Sequence, residues 1–286
     1  MRTEFPRARL ADGASLYDGL VEVPGFPFAA WSSRGTEERA EELATRCEAA
    51  YWFLGEHFEQ RPEVTLLALS AKDWSRFSRA PFGMPSYAAG HLVLPSAPSQ
   101  FGVNLARLLD RAEPDMLHQA RDVYGSPGGD IDLDSFFTLL SVHELGHGFE
   151  RGTPGLFPRL WLGELFGNVC LHTHVAVESP ATLPVLQTFP LAFGTIDPLL
   201  FQHRSLADFE RLYIGVGLEN YAWYQCRLHV LAKQLYDADG IAPLRRLWDR
   251  FLLTSPEKLS DKALVVALER DVHPVLAEAV RTWPAC

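Results

Sequence analysis

The sequence predicts an α+β fold. An N-terminal lobe over about residues 1–150 combines helices with a small mixed sheet and ends in a motif-bearing helix, and a mostly helical lobe follows over about 151–286. Three observations lead there. Short apolar runs with strand character, 64–69 and 91–94, lie in the first half. Stretches with apolar residues at helical spacing flank them and fill much of the second half. The chain of 286 residues, 47% hydrophobic and 22% charged, can bury one large core, so the lobes read as a single compact unit with a cleft between them.

Taken in order, residues 36–58 form an amphipathic helix with Leu43, Ala44, Cys47, Ala50, Tyr51, Leu54 and Phe58 on its buried face. The run 64–69 suits a central strand. A turn at Ala89-Gly90 introduces the strand 91–94, which Pro95 closes because it cannot donate to a ladder. Residues 95–101 and 125–132 are loops. Asp132 and Asp134 are candidate N-caps for an apolar helix that starts near Asp134 and carries Phe136, Phe137, Leu139, Leu140 and Val142. The chain breaks at Gly152, Pro154 and Gly155 and resumes as a helix with Pro158 in its first position. A further helix runs from Asn220, a candidate N-cap, to Gly240 beyond its end. Residues 243–253 and 260–279 are amphipathic helices, the last interrupted at Pro274.

The most specific feature is the HExxH motif at His143-Glu144-Leu145-Gly146-His147. Two histidines four positions apart on a helix stack on one face and can ligate one ion. Glu144 flanks that ion and can reach a water beside it as a general base without being a ligand. An apolar helix carrying three such polar groups must satisfy them in the core, and a bound cation does so directly; the bland reading is a pair of core histidines bonded to carbonyls. Catalytic zinc normally has three protein ligands and an open position. Glu164, on the next helix, can return to the metal, and Asn168 one turn later can hydrogen-bond the free nitrogen of a ligand histidine.

His143 to His147 followed by Trp161-Leu-Gly-Glu164-Leu-Phe-Gly-Asn168 resembles the gluzincin metallopeptidases, the group of thermolysin and the zinc aminopeptidases. The resemblance covers this stretch closely and the rest of the chain in outline. A metzincin would need glycine at 150 and histidine at 153, where the chain has Glu150 and Thr153; an aspzincin would need an aspartate soon after Thr153, and the next is Asp197. The resemblance implies a zincin-like fold, zinc on His143, His147 and Glu164, Glu144 as general base, and hydrolysis of peptide bonds. It also implies an edge strand that pairs with the substrate backbone, for which His91, Leu92 and Val93 are the candidates, with an ordinary strand as the competing reading. The oxyanion donor it calls for is assigned to Tyr221 at the start of its helix, with Tyr224, Tyr213, His203 and His229 as rivals.

A net charge of −10 argues against nucleic-acid binding. No apolar run reaches membrane-spanning length, and the first seven residues lack a signal-peptide core, so a cytoplasmic enzyme with a peptide or small-amide substrate is expected. Cys47, Cys170, Cys226 and Cys286 are too scattered for a zinc or disulfide framework and read as buried thiols. Two other readings stay open: hydrolysis of a non-peptide amide or ester, and a non-catalytic protein braced by zinc, with His172, His174 or His203 as fourth ligand.

Overall fold

The computed structural model describes residues 16–284, so the opening seven residues and Cys286 lie outside the described residues. In chain order the elements are β1 (Val21–Glu22), β2 (Ala29–Ser32), α1 (Glu37–Phe58), β3 (Thr65–Leu69), α2 (Ala71–Trp74), β4 (Ser86–Ala88) and β5 (His91–Pro95). Helices follow: α3 (Gln100–Leu108), α4 (Pro114–Tyr124), α5 (Asp134–Glu150), α6 (Leu160–Glu178), α7 (Leu183–Gly194), α8 (Leu206–Leu212), α9 (Leu218–Asp239), α10 (Ala242–Leu247), α11 (Asp261–Ala267) and α12 (Pro274–Arg281). The fold is α+β with a small mixed sheet ordered β1-β2-β3-β5-β4, in which β2, β3 and β5 are parallel and the outer strands antiparallel.

Side-chain alternation explains why 64–69 reads as unbroken apolar sequence. Leu66 and Ala68 of β3, with Leu92 and Leu94 of β5, face the main core, while Leu67, Leu69 and Val93 face a second cluster with Tyr17, Leu20 and Trp74. The main cluster runs from Val23 to Ala277 and draws on almost every helix.

The structure corrects the expected edge. Strand β5 is internal, and β4 occupies the side where a substrate would have paired with His91, Leu92 and Val93. Ala89 (φ 50°) and Gly90 (φ 86°) form a two-residue hairpin turn that folds β4 back, pairing Ser86 with Val93, Tyr87 with Leu92 and Ala88 with His91. Among the described residues, the edge of the sheet on this side is therefore Ser86–Ala88.

Helix α5 begins at Asp134 as expected, and the Asp132 carboxylate accepts the Asp134 N–H at 2.9 Å. Arg39 of α1 ties to it, 3.0 Å from Asp134 and 2.7 Å from Thr138. Helix α6 opens at Leu160, two residues later than Pro158 would start it. The chain stays extended at Arg159, and the Glu210 carboxylate accepts the Leu160 N–H at 2.8 Å, where a helix favours negative charge. Helix α9 starts after Gly217 (φ 87°), so Asn220 lies in the first turn and is not the cap. Its side chain clamps the backbone of His203 instead, accepting from the N–H at 3.1 Å and donating to the carbonyl. The break before Pro274 is real: a wide turn over Leu268–Val272 ends α11, and His273 caps α12 by accepting the Val275 N–H at 3.2 Å.

Two glycines let α5 and α6 touch. A methyl group on Gly146 would lie 3.3 Å from Cys170 and from the Gly167 backbone, and one on Gly167 would lie 2.9 Å from the His143 ring. That close approach brings Glu164 onto the histidines. Cys47, Cys170 and Cys226 are buried free thiols, and no helix among the described residues is long and apolar enough to cross a membrane.

Candidate metal centre

Helix α5 carries His143 and His147 one turn apart, and α6 crosses it so that Glu164 completes a cluster. His143 Nε2 lies 3.2 Å from His147 Nε2 and 3.4 Å from Glu164 Oε2, and His147 Nε2 lies 3.9 Å from the same oxygen. One ligand atom from each of the three falls within 4.8 Å of the others, an arrangement that could hold a metal ion. His143 and Glu164 are buried and His147 half-buried. None of His172, His174 or His203 joins this group. His172 packs against His229 and Tyr236, His174 against Phe53, and His203 is held at its backbone by Asn220.

A chain of hydrogen bonds fixes which histidine nitrogens carry protons. The Glu164 carboxylate can only accept, so the Gln225 amide presents Nε2 to it at 2.5 Å. Gln225 Oε1 then accepts from Asn168 Nδ2 at 3.2 Å, which turns Asn168 Oδ1 toward two imidazoles. That oxygen accepts from His143 Nδ1 at 3.1 Å and from His229 Nδ1 at 3.2 Å. The proton on His143 Nδ1 leaves a lone pair on Nε2, the atom that faces the cluster. Asn168 thus stands where the sequence placed it, bonded to the first histidine of the motif.

His147 is oriented differently. Its Nδ1 lies 2.7 Å from the Glu150 carboxylate, so Nε2 is the nitrogen that faces the cluster. Glu150 was not singled out from sequence, although its position three residues after His147 is the signal that would have found it. Burial works against a charge on His147, but Glu150 outweighs it and raises the imidazole to about 10. Burial would raise Glu164; the neighbouring His143 and His147, with the Tyr213 hydroxyl, hold it at about 2 instead.

Glu144 adjoins the cluster. Burial raises its pKa against the lowering influence of His143 and His147, and the backbone of Tyr87 in β4 lies close enough to lower it as well. The general-base candidate and the free sheet edge therefore face each other. Gly148 permits this approach, since a methyl there would sit 3.3 Å from the Tyr87 ring.

Two tyrosines reach the cluster. Tyr221, in the first turn of α9, has its hydroxyl 3.4 Å from Glu164 Oε2 and accepts from Gln225 Nε2 at 2.8 Å. Tyr213 donates to Glu164 Oε1 at 2.5 Å from a residue with φ 50° and ψ −124°. Such a conformation costs about 1–3 kcal/mol in a non-glycine residue and concentrates at functional sites. Burial, then the nearby Glu164, pushes both phenols up, so they stay protonated donors. Tyr224 is core, its hydroxyl donating to the Ser205 carbonyl at 2.8 Å.

A cavity opens beside His143 and Glu144 and extends between α3, α5, α7 and α9, with about 640 Å³ of space including its mouth. Its walls are mainly aromatic and aliphatic. No family model and no curated protein matches the chain, and the geometry of the site stands on its own.

Proposed function

We propose that the protein is a zinc-dependent hydrolase that cleaves peptide bonds, a metallopeptidase of gluzincin type on a zincin-like fold. The observation that supports this most is the convergence of His143, His147 and Glu164 within 4.8 Å, with Glu144 alongside. The donor set fits zinc: the Nε2 atoms of His143 and His147 both face the cluster beside one carboxylate, and His147 offers its lone pair once it gives up the proton that Glu150 favours. When bound, zinc supplies a Lewis acid that acidifies water and polarises a carbonyl.

The chain's own residues account for the rest. Glu144 takes the proton from the attacking water, helped by the burial that raises its proton affinity, and returns it to the leaving amine. The hydroxyls of Tyr221 and Tyr213 donate to the carbonyl oxygen as it gains charge. An extended peptide pairs with β4, so the strand role moves from His91–Val93 to Ser86–Ala88, whose backbone already meets Glu144. The apolar cavity receives a substrate side chain.

Glu144→Gln tests the reading. It should keep its zinc and lose roughly 10²–10⁴-fold in turnover, the share that a general base contributes, while His147→Ala should lose both metal and activity. A Gln variant with near-parental rates would sink the base assignment. Turnover confined to esters or small amides, with a broad peptide digest uncut, would move the chemistry to a non-peptide acyl group. Bound zinc without turnover on any of them would leave a zinc-braced binding protein.

A further inference from the structure

The cavity beside the cluster contains one polar feature that the reaction does not use. Its walls are supplied largely by Phe101, Leu105, Phe136, Phe137 and Phe189, and His229 of α9 lies among them. His229 is only 3% exposed. Its Nδ1 is committed to Asn168 Oδ1, which can only accept, so the ring proton sits there and Nε2 carries a lone pair. That Nε2 is buried without a hydrogen-bond partner among the described residues.

Buried acceptors are nearly always paired, and one left alone asks what would pair with it. The two neighbouring histidine rings do not: His172 stands edge-on with ring centres 5.9 Å apart, and its own Nδ1 is unpartnered as well. No lysine or arginine lines the cavity, so nothing there would bind a carboxylate, and its acidic group, Glu144, belongs to the reaction. A ligand that suits these walls has a flat apolar body and one N–H or O–H donor. An aliphatic or plain phenyl group fills the space and leaves the acceptor bare.

We infer that His229 is a specificity residue, and that the cavity selects an aromatic side chain with a donor at its rim, tyrosine or tryptophan, over phenylalanine or leucine. This rests on the peptidase reading for its meaning as a substrate preference, but the recognition itself is a binding property. The Asn168 oxygen joins the two functions, since it orients the ligand His143 and sets the tautomer of His229 with the same atom.

The test is calorimetric binding of N-acetyl-tyrosinamide and N-acetyl-phenylalaninamide to the zinc-loaded full chain, beside His229→Asn. The asparagine amide can still donate to Asn168 where Nδ1 did, but it places no acceptor where Nε2 was. The parent should bind the tyrosine compound about tenfold more tightly, the usual worth of satisfying one buried neutral group. In His229→Asn the ratio should collapse toward one. Equal affinities in the parent, no binding of either compound, or an undiminished ratio in the variant would each overturn the inference; the parent comparison needs no variant to fold. Matched peptides that differ only as tyrosine or phenylalanine should show the same ratio in kcat/KM. A parent that discriminates in binding yet cleaves no peptide would overturn the peptidase reading and leave the pocket's selectivity standing.

Discussion

His143 and His147 sit one turn apart on one helix and point at the same place, yet they are held by opposite chemistry. His143 is buried and oriented by a neutral relay, Asn168 to Gln225 to Glu164, in which each amide is fixed by the next. His147 is half-buried and oriented by the charged Glu150 at 2.7 Å. The amide relay sets the orientation of His143 and turns its Nε2 to the cluster. The charged one also stabilises imidazolium, so a metal arriving at His147 must displace a proton. On the proposed reading one histidine supplies geometry, and the other makes metal binding answer to pH.

The strongest way to break this contrast is Asn168→Leu. It strips partners from the Nδ1–H groups of His143 and His229 and from Gln225 Oε1 together. Each orphaned buried group costs about 1–3 kcal/mol. A fall in melting temperature together with loss of zinc is expected, and an unchanged melting curve would show that the relay is not formed.

Gly167→Ala attacks the same histidine sterically. A methyl there lies 2.9 Å from the His143 ring, and overpacking of this kind costs roughly 1–3 kcal/mol. Gly163→Ala, on the same helix, meets nothing nearer than 3.8 Å and serves as the control. Denaturant midpoints should separate the two; equal midpoints would mean that α5 and α6 are not in this contact.

Glu150→Gln is milder, about tenfold or somewhat more in zinc affinity, because Gln can still accept from Nδ1 without its charge. Competition against a chromophoric chelator measures it, and an unchanged affinity would remove Glu150 from the site.

The smallest effect sharpens the contrast most. With His147 raised to about 10 by Glu150, the metal-free chain holds a proton there at neutral pH. That raised value favours the folded metal-free chain fully below the ordinary 6.5 and fades as pH rises through about 10. Zinc affinity runs the other way and should climb with pH over the same span, with about one proton released per metal at pH 7. Calorimetry in buffers of different ionisation enthalpy counts that proton, and Glu150→Gln should release less. Equal release from both proteins would assign the proton elsewhere.

What sequence revealed divides along similar lines. The motif helix, Glu164 and Asn168 were legible because spacing on a helix fixes direction: i and i+4 share a face whatever surrounds them. Glu150 was equally readable at i+3 from His147 and went unread because the motif ends before it. Gln225 had no such signal, for its role exists only once α9 crosses α6. Strand β5 was visible as an apolar run, but its place in the sheet depended on β4, whose Ser-Tyr-Ala has no strand pattern and forms because the Ala89-Gly90 turn sends it back. Helices α3, α4 and α7 were not singled out, and with them went two walls of the cavity, since Phe101, Leu105 and Phe189 sit on α3 and α7. The importance of Gly146 and Gly167 is a distance between two helices, which no single helix encodes.

The central claim is that α5 and α6 jointly build a metal site. Zinc per chain, measured by elemental analysis on protein purified without added metal beside a Glu164→Ala variant, tests it most directly. About one zinc in the parent and markedly less in the variant is expected of a three-ligand site. No zinc in the parent, and none taken up on reconstitution, would return His143 and His147 to the role of core histidines and contradict the account.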